Sequence, residues 1–272
     1  MRRIIFTILC VFFTLCLSAQ TVDEIIAKSF AAEGGREKLT SIQSRRITGD
    51  VEVGGMQAGF TMLQKRPTKV RQDITIQGLN MIRAYDGQTG WQIVPFTGKK
   101  DPEVMPADDL KQMQEEADFD GPIADYKQKG NTVELVGKEK VEGTDSYHLK
   151  VTLKNGDIRH IYLDGDSFLP IKTVSKVTMR GSEIELESTI GDYKQVEGIM
   201  VPFSIEQRPT GSQGPGQKIT VTKVEFNVPI DDTMFKMPPP APAAAPSDKT
   251  GAAPATPEPA KKPDTGSKPP QN

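Results

Sequence analysis

The sequence predicts a mainly β fold: one large, curved antiparallel sheet, covered in part by two or three short helices. Three observations lead there. First, residues 157–208 hold four strand-like runs, separated by turn clusters at Asp164–Ser167, Arg180–Ser182 and Val196–Gly198. Second, in the third run Ile184, Leu186, Ser188 and Ile190 share one face while Glu183, Glu185, Glu187 and Thr189 share the other, the alternation of a half-buried strand. Third, the preceding run carries Lys172, Lys176 and Arg180, so opposite charges can pair across neighbouring strands.

Of the 272 residues, neither end belongs to this fold. Arg2 and Arg3, an apolar run from Ile4 to Leu17, and Ser18-Ala19-Gln20 follow the order of a secretory signal peptide spanning residues 1–19. The run is shorter than the about 20 apolar residues of a membrane-spanning helix. Cys10 and Cys16 lie inside it, preceded by Leu9 and Leu15 rather than by the small residue of a lipoprotein signal. The expected mature protein is exported to an oxidising compartment, free of cysteine, and neither membrane-spanning nor a lipoprotein. Residues 238–272 hold 11 of the 21 prolines and no Leu, Ile, Val, Met or aromatic residue. With nothing to bury against the entropy of ordering, they read as a disordered Pro/Ala-rich tail. Residues 20–237 fall within the roughly 200–250 residues that large all-β folds take as one domain. The formal charge of −2 becomes about −4 without Arg2 and Arg3, leaving no basic excess for nucleic acid or anionic headgroups.

In chain order, Thr21 and Glu24 form a capping box, and Val22, Ile25, Ile26 and Phe30 recur at helical spacing until Gly34-Gly35. Arg36 to Ile42 adds a short second helical turn. Ile47, Val51 and Val53 alternate with Thr48, Asp50 and Glu52 before Gly54-Gly55 reverses the chain into a strand with Phe60, Met62 and Leu63. Val70, Ile74 and Ile76 alternate with Arg71, Asp73 and Thr75, and turns at Gln77-Gly78 and Asp86–Gly90 lead to strands at Met81–Tyr85 and Trp91–Val94. Residues 96–106 read as a loop, Ala107 to Ala117 as a helix with Leu110 and Met113 spaced for burial, and Pro122 as the start of another helical stretch. Strands return at Thr132–Val141 and Ser146–Lys154, turning at Asn155-Gly156. Lys218–Asn227 is the last long strand, and its apolar phase shifts between Val221 and Val224, as a bulge requires. Val228–Met237 closes the domain with Ile230, Met234 and Phe235 available for docking. The total is ten to twelve strands without an internal repeat.

Reactive chemistry is sparse. The two histidines, His148 and His160, lie among strand residues, with His148 expected exposed on the polar face. No mature cysteine remains for thiolate catalysis or sulfur-ligated zinc. Asp164-Gly165-Asp166-Ser167 lacks the further oxygens of a calcium loop and reads as a turn. Asp108-Asp109, Asp118, Asp120 and Asp231-Asp232 sit at helix starts or connections, where acids cap or are solvated. No phosphate cradle, nucleophile elbow or metal-binding helix is present. The expectation is therefore a binding protein with no catalytic residue, metal or cofactor. A sheet this broad, with few helices to cover it, either closes or leaves an apolar hollow. The mature methionines, among them Met62, Met81, Met113, Met179 and Met200, suit an adaptable lining or an ordinary core, and Trp91 is either a core anchor or a pocket wall. The candidate lining is Phe60, Met62, Ile74, Ile76, Tyr85, Trp91, Leu149, Val151, Ile184, Leu186 and Phe203.

Several stretches carry a family likeness. They are Glu33-Gly34-Gly35, the run Ala84-Tyr85-Asp86-Gly87-Gln88-Thr89-Gly90-Trp91, and Phe119-Asp120-Gly121-Pro122, followed by YLDGDSFLPIK from Tyr162, GDYKQVEGIMVPFSIE from Gly191 and FNVPIDDTMFKMP from Phe226. Together, over residues 22–237, they resemble the LolA-like outer-membrane lipoprotein-sorting proteins. The resemblance implies an incomplete antiparallel β-barrel, lidded by helices, whose hydrophobic cavity receives lipoprotein acyl chains. This chain departs in its tail, and neither Arg45 nor Arg46 is matched to the arginine that holds the carriers' lid. The expected function is monomeric periplasmic carriage of lipoprotein acyl chains or lipid toward the outer membrane, with inner- and outer-membrane transfer proteins as partners. The alternative is an envelope sensor or scaffold that binds lipid or a membrane partner without transferring cargo.

Overall fold

In the computed structural model, which describes residues 20–98, 100–179, 182–214 and 216–239, the chain opens on the reciprocal capping box of Thr21 and Glu24. The expected signal peptide, the tail beyond Pro239 and the turn at Arg180-Gly181 lie outside the described residues. Helix α1 (Val22–Glu33) ends at Gly34, which has φ 129° and packs against the turn at Glu197-Gly198. A Cβ there would lie 2.6 Å from the Gly198 carbonyl oxygen, so the close approach requires glycine. A short α2 (Arg36–Ser41) follows.

The first hairpins are β1 (Ser44–Val53), β2 (Met56–Lys65), β3 (Lys69–Ile76), β4 (Leu79–Tyr85), β5 (Gly90–Ile93) and β6 (Glu103–Val104). After α3 (Ala107–Glu116) and α4 (Tyr126–Lys129) come β7 (Thr132–Val141), β8 (Thr144–Thr152), β9 (Ile158–Asp164), β10 (Pro170–Met179), β11 (Ser182–Val196), β12 (Ile199–Pro209) and β13 (Gln217–Phe226). They form one unclosed sheet of 13 strands in the order β6-β5-β4-β3-β2-β1-β13-β12-β11-β10-β9-β8-β7, antiparallel at every pairing. Two wings of sequential hairpins, β1 to β6 and β7 to β12, are thus joined by β13 alone. The strand beyond the expected number is β6, whose two residues are too short to register as alternation. The helix expected from Pro122 is instead a turn, and helical structure is confined to the four residues of α4. Thr48 pairs with Lys223 but Gly49 with Val221, which leaves Thr222 in the bulge that the phase shift required.

Helices α1 and α3 define the inner face of the sheet. Ile25, Ile26 and Phe30 of α1 pack on Leu149, Val151 and Leu163, and Met113 of α3 packs on Val70 and Tyr85. On the outer face Val228–Phe235 runs back over the first wing as a strap. Its Ile230 and Phe235 cluster with Leu63, and Lys65 and Lys69 hold Asp232 at 2.8 and 2.7 Å.

The outer face of the second wing carries the expected cross-strand charge pairs, Lys172–Glu187 at 2.6 Å and Lys176–Glu183 at 3.9 Å. His148 departs from expectation: its side chain is only 14% exposed, stacked on Tyr162 and bonded to both Glu139 and His160 at 2.6 Å. Glu139 accepts from His148 Nδ1–H, so His148 Nε2 accepts from His160 Nδ1–H. Burial holds the His148 imidazolium below its ordinary pKa, with Glu139 opposing and His160 adding to the shift. Below about pH 6.5 the unfolded chain therefore takes up a proton that the folded chain resists, and stability is lost as pH falls. Thermal midpoints should decline between about pH 7 and 5, and His148→Gln should flatten that decline. Parallel profiles for the two proteins would exclude this histidine as the cause.

Candidate functional site

Strand register sorts the side chains of the inner face into rows. On the first wing Arg45, Gln64, Val70 and Tyr85 form one row and Ile47, Met62, Gln72 and Arg83 the next. Beyond them Gly49, Phe60, Ile74 and Met81 align, with Ile76 and Leu79 nearer the hairpin tip. Ten of the eleven candidate lining residues share this inner face. Tyr85, Leu149, Val151 and Phe203 are buried, whereas Phe60, Met62, Ile74, Ile76, Ile184 and Leu186 are half-buried. Trp91 points the other way, sharing its face with Ala84, and donates from Nε1 to the Phe235 carbonyl at 2.7 Å.

Sequence reasoning missed an apolar row that crosses the middle of the sheet: Ile190, Ile205, Ile219, Val51 and Ala58 lie opposite one another on five neighbouring strands. Each alternates correctly in its own strand, but their alignment depends on long-range register.

Helix α3 spans the two wings. Toward the first wing, Asp109 meets Arg83 at 3.5 Å, the Glu116 carbonyl accepts from Gln64 Nε2 at 2.5 Å, and the Glu116 carboxylate accepts from Gln72. Toward the second, Glu115 pairs with Arg159, and Lys111 lies 2.6 Å from Asp157. Burial pushes the Glu116 carboxyl above its ordinary pKa, partly opposed by Arg83. Burial likewise lowers the Arg159 guanidinium. Among the described residues Met113 and the half-buried Leu110 tie this helix to an apolar cluster, beside the polar bonds above.

A recess of about 150 Å³ opens between α1, α2, the turn at Phe119-Asp120 and strands β1, β12 and β13, with Phe30, Glu33, Arg45, Phe119, Ile199 and Phe226 in its wall. None of the eleven candidates lines it. Arg66 holds the turn by donating to both Asp120 oxygens at 2.5 Å and to the Ile42 and Leu39 carbonyls. These bonds draw the Asp120 carboxyl below its usual range, against the effect of burial. The guanidinium groups of Arg45 and Arg66 both lie over the Phe119 ring, 4.6 and 4.4 Å from its centroid. Burial lowers Arg45 to about 10 and raises the Glu33 carboxyl. The sequence signal for Arg45 was its phase: it shares the inward face of β1 with Ile47 and Val51, where a charge is out of place. A wider groove of about 770 Å³ beside Lys65 and Asn227 to Asp231 lies toward the outer face. Among the described residues no group of three or more His, Cys, Asp or Glu is arranged to hold a metal, and no helix is long and apolar enough to cross a membrane.

No family model matches the chain, and no curated protein matches it in sequence. Solved structures do resemble it. A DUF1329 family protein from Desulfovibrio piger superposes with a TM-score of 0.55 at 14% identity, covering 79% of this chain and 97% of that one. A LolA superfamily protein from Nitrosomonas europaea gives a TM-score of 0.55 at 14% identity, covering 80% and 98%. A domain from Vibrio parahaemolyticus designated for outer-membrane lipoprotein sorting gives 0.51 at 13% identity, covering 78% and 94%.

Proposed function

We propose, with the LolA-like fold as premise, that this protein binds acyl chains of a lipid or lipoprotein against its inner face and carries them, as a monomer, through the periplasm toward the outer membrane. The observation that carries this reading is an inward-facing apolar wall that is only half-buried. Ile74 and Ile76 on one wing, and Ile184 and Leu186 on the other, face inward yet belong to none of the buried clusters. Each CH₂ taken from water onto such a wall contributes roughly 0.8 kcal/mol, so an acyl chain gains affinity without a catalytic or metal group.

The recess of about 150 Å³ is smaller than the roughly 300–1,000 Å³ of most ligand sites, so a whole chain enters only if cover is displaced. The cover there is α2 and the segment from Phe119 to Ala124, which wall the recess. Arg66 ties the two pieces together through Asp120 and the Leu39 and Ile42 carbonyls, so opening the recess requires these bonds to part.

A fluorescent fatty acid titrated into the purified protein tests the reading. Ile74→Asp and Leu186→Asp should each weaken binding by about 10-fold or more, because the new carboxylate loses its water when a chain lies on it. Far-ultraviolet circular dichroism should stay unchanged. Undiminished binding in both variants, or wild-type protein that takes up no fatty acid, would remove the acyl-chain reading.

A further inference from the structure

Arg45 is the cation of the recess wall that makes no direct ion pair among the described residues, although the Asp120 and Glu33 carboxyls favour its charge from farther off. Arg66, by contrast, is taken by Asp120 and Arg36 by Asp125. Among the described residues the Arg45 guanidinium donates one hydrogen bond, from Nε to Gln64 Oε1 at 2.5 Å, and neither Nη group has a protein acceptor. Glu33, the nearby carboxyl, accepts from Ser29 Oγ at 3.4 Å and makes no hydrogen bond or ion pair to Arg45 among the described residues. Arg45 is half-buried, and among the described residues no buried side-chain nitrogen or oxygen lacks a partner, so its Nη groups still reach water, which an incoming acceptor oxygen can replace.

The recess is also the right size for a small polar group. A void near 150 Å³ holds something about as large as benzene, and so the head of an amphiphile but not its chain. The recess wall adjoins the apolar wall of the sheet. Ile47 and Val224 line the recess and also pack in the cluster that contains Phe60 and Phe203.

We propose that Arg45 is a head-group subsite: it receives the carboxylate or ester carbonyl oxygen of an acyl amphiphile in the recess while the hydrocarbon lies along the Phe60 wall. This rests on the acyl-chain reading above and adds the chemistry of the head. The preferred ligands are acyl compounds with acceptor oxygens, and cationic amphiphiles of the same chain length are rejected.

The test compares palmitate, methyl palmitate and hexadecylamine as competitors of a fluorescent fatty acid, using the purified protein and its Arg45→Gln variant. The wild-type protein should prefer palmitate to hexadecylamine by about 10- to 100-fold, as expected for charge-assisted hydrogen bonds. Arg45→Gln should lose most of that preference while still binding chains. Methyl palmitate equal to palmitate would identify the carbonyl as the recognised oxygen, and a weaker ester would identify the carboxylate. Equal binding of palmitate and hexadecylamine by the wild-type protein overturns the subsite and leaves chain binding intact. An unchanged preference in Arg45→Gln overturns it too. If no amphiphile displaces the probe, the acyl-chain reading itself has failed. The wild-type series decides the matter even if the variant does not fold.

Discussion

Arg66→Ala is expected to destabilise the protein by about 3–5 kcal/mol, the usual cost of breaking a mostly buried ion pair from one side. The side chains of Arg66 and Asp120 are only 19% and 27% exposed, so solvent does little to screen the loss. The guanidinium is more than a counter-ion. It spans both Asp120 oxygens and two carbonyls at the end of α2, tying the Phe119-Asp120 turn to the segment that enters β1. Its removal strands a carboxylate and two carbonyls at once. Urea unfolding reads the effect as a fall in midpoint at constant slope. The Arg66→Ala, Asp120→Ala double variant should lose less than the single arginine variant, because no uncompensated charge remains. A single-variant loss below about 1 kcal/mol would mean that the pair behaves as a solvated surface contact.

Trp91→Ala should cost a similar amount, about 3–5 kcal/mol, through the cavity left by a large aromatic side chain. Trp91 is 1% exposed, beneath Phe235, which is fully buried, and its Nε1–H satisfies the Phe235 carbonyl. The loss should therefore reach the strap. With its anchor gone, Val228–Phe235 keeps the Ile230–Leu63 contact, hydrogen bonds from Ser44, Lys65 and Arg71 to its carbonyls, and the partly exposed pairs of Asp232 with Lys65 and Lys69. Limited proteolysis should cut within the strap far faster in Trp91→Ala than in Trp91→Phe, which retains most of the packing. Equal cleavage of the two variants would mean that the indole does not hold the strap.

The strands were legible because each alternates on its own. Ile184 to Ile190 announced a two-faced strand, and Lys172 and Lys176 announced its charged neighbour. The capping box, the Gly34 stop and the Thr222 bulge were legible for the same reason, since each is written within a few residues. What the sequence withheld depended on distant partners. The Ile190–Ile205–Ile219–Val51 row exists only once register is fixed between strands far apart in the chain. Trp91 alternates as well as Tyr85 does, and only the strap shows that they serve opposite faces. His148 looked solvated because its cover, Glu139 and Tyr162, comes from two other strands. Asp120 read as a loop acid because Arg66 reaches it from 54 residues away.

The place of β13 governs how the domain can be assembled. Every strand before it can pair with a sequence neighbour, so each half can zip from local hairpins with little loop entropy to overcome. Their union waits for Gln217–Phe226, which slots between Ser44–Val53 and Ile199–Pro209. A nascent chain halted before Gln217 would thus hold two unfinished fragments, and its final long segment turns them into a single protein.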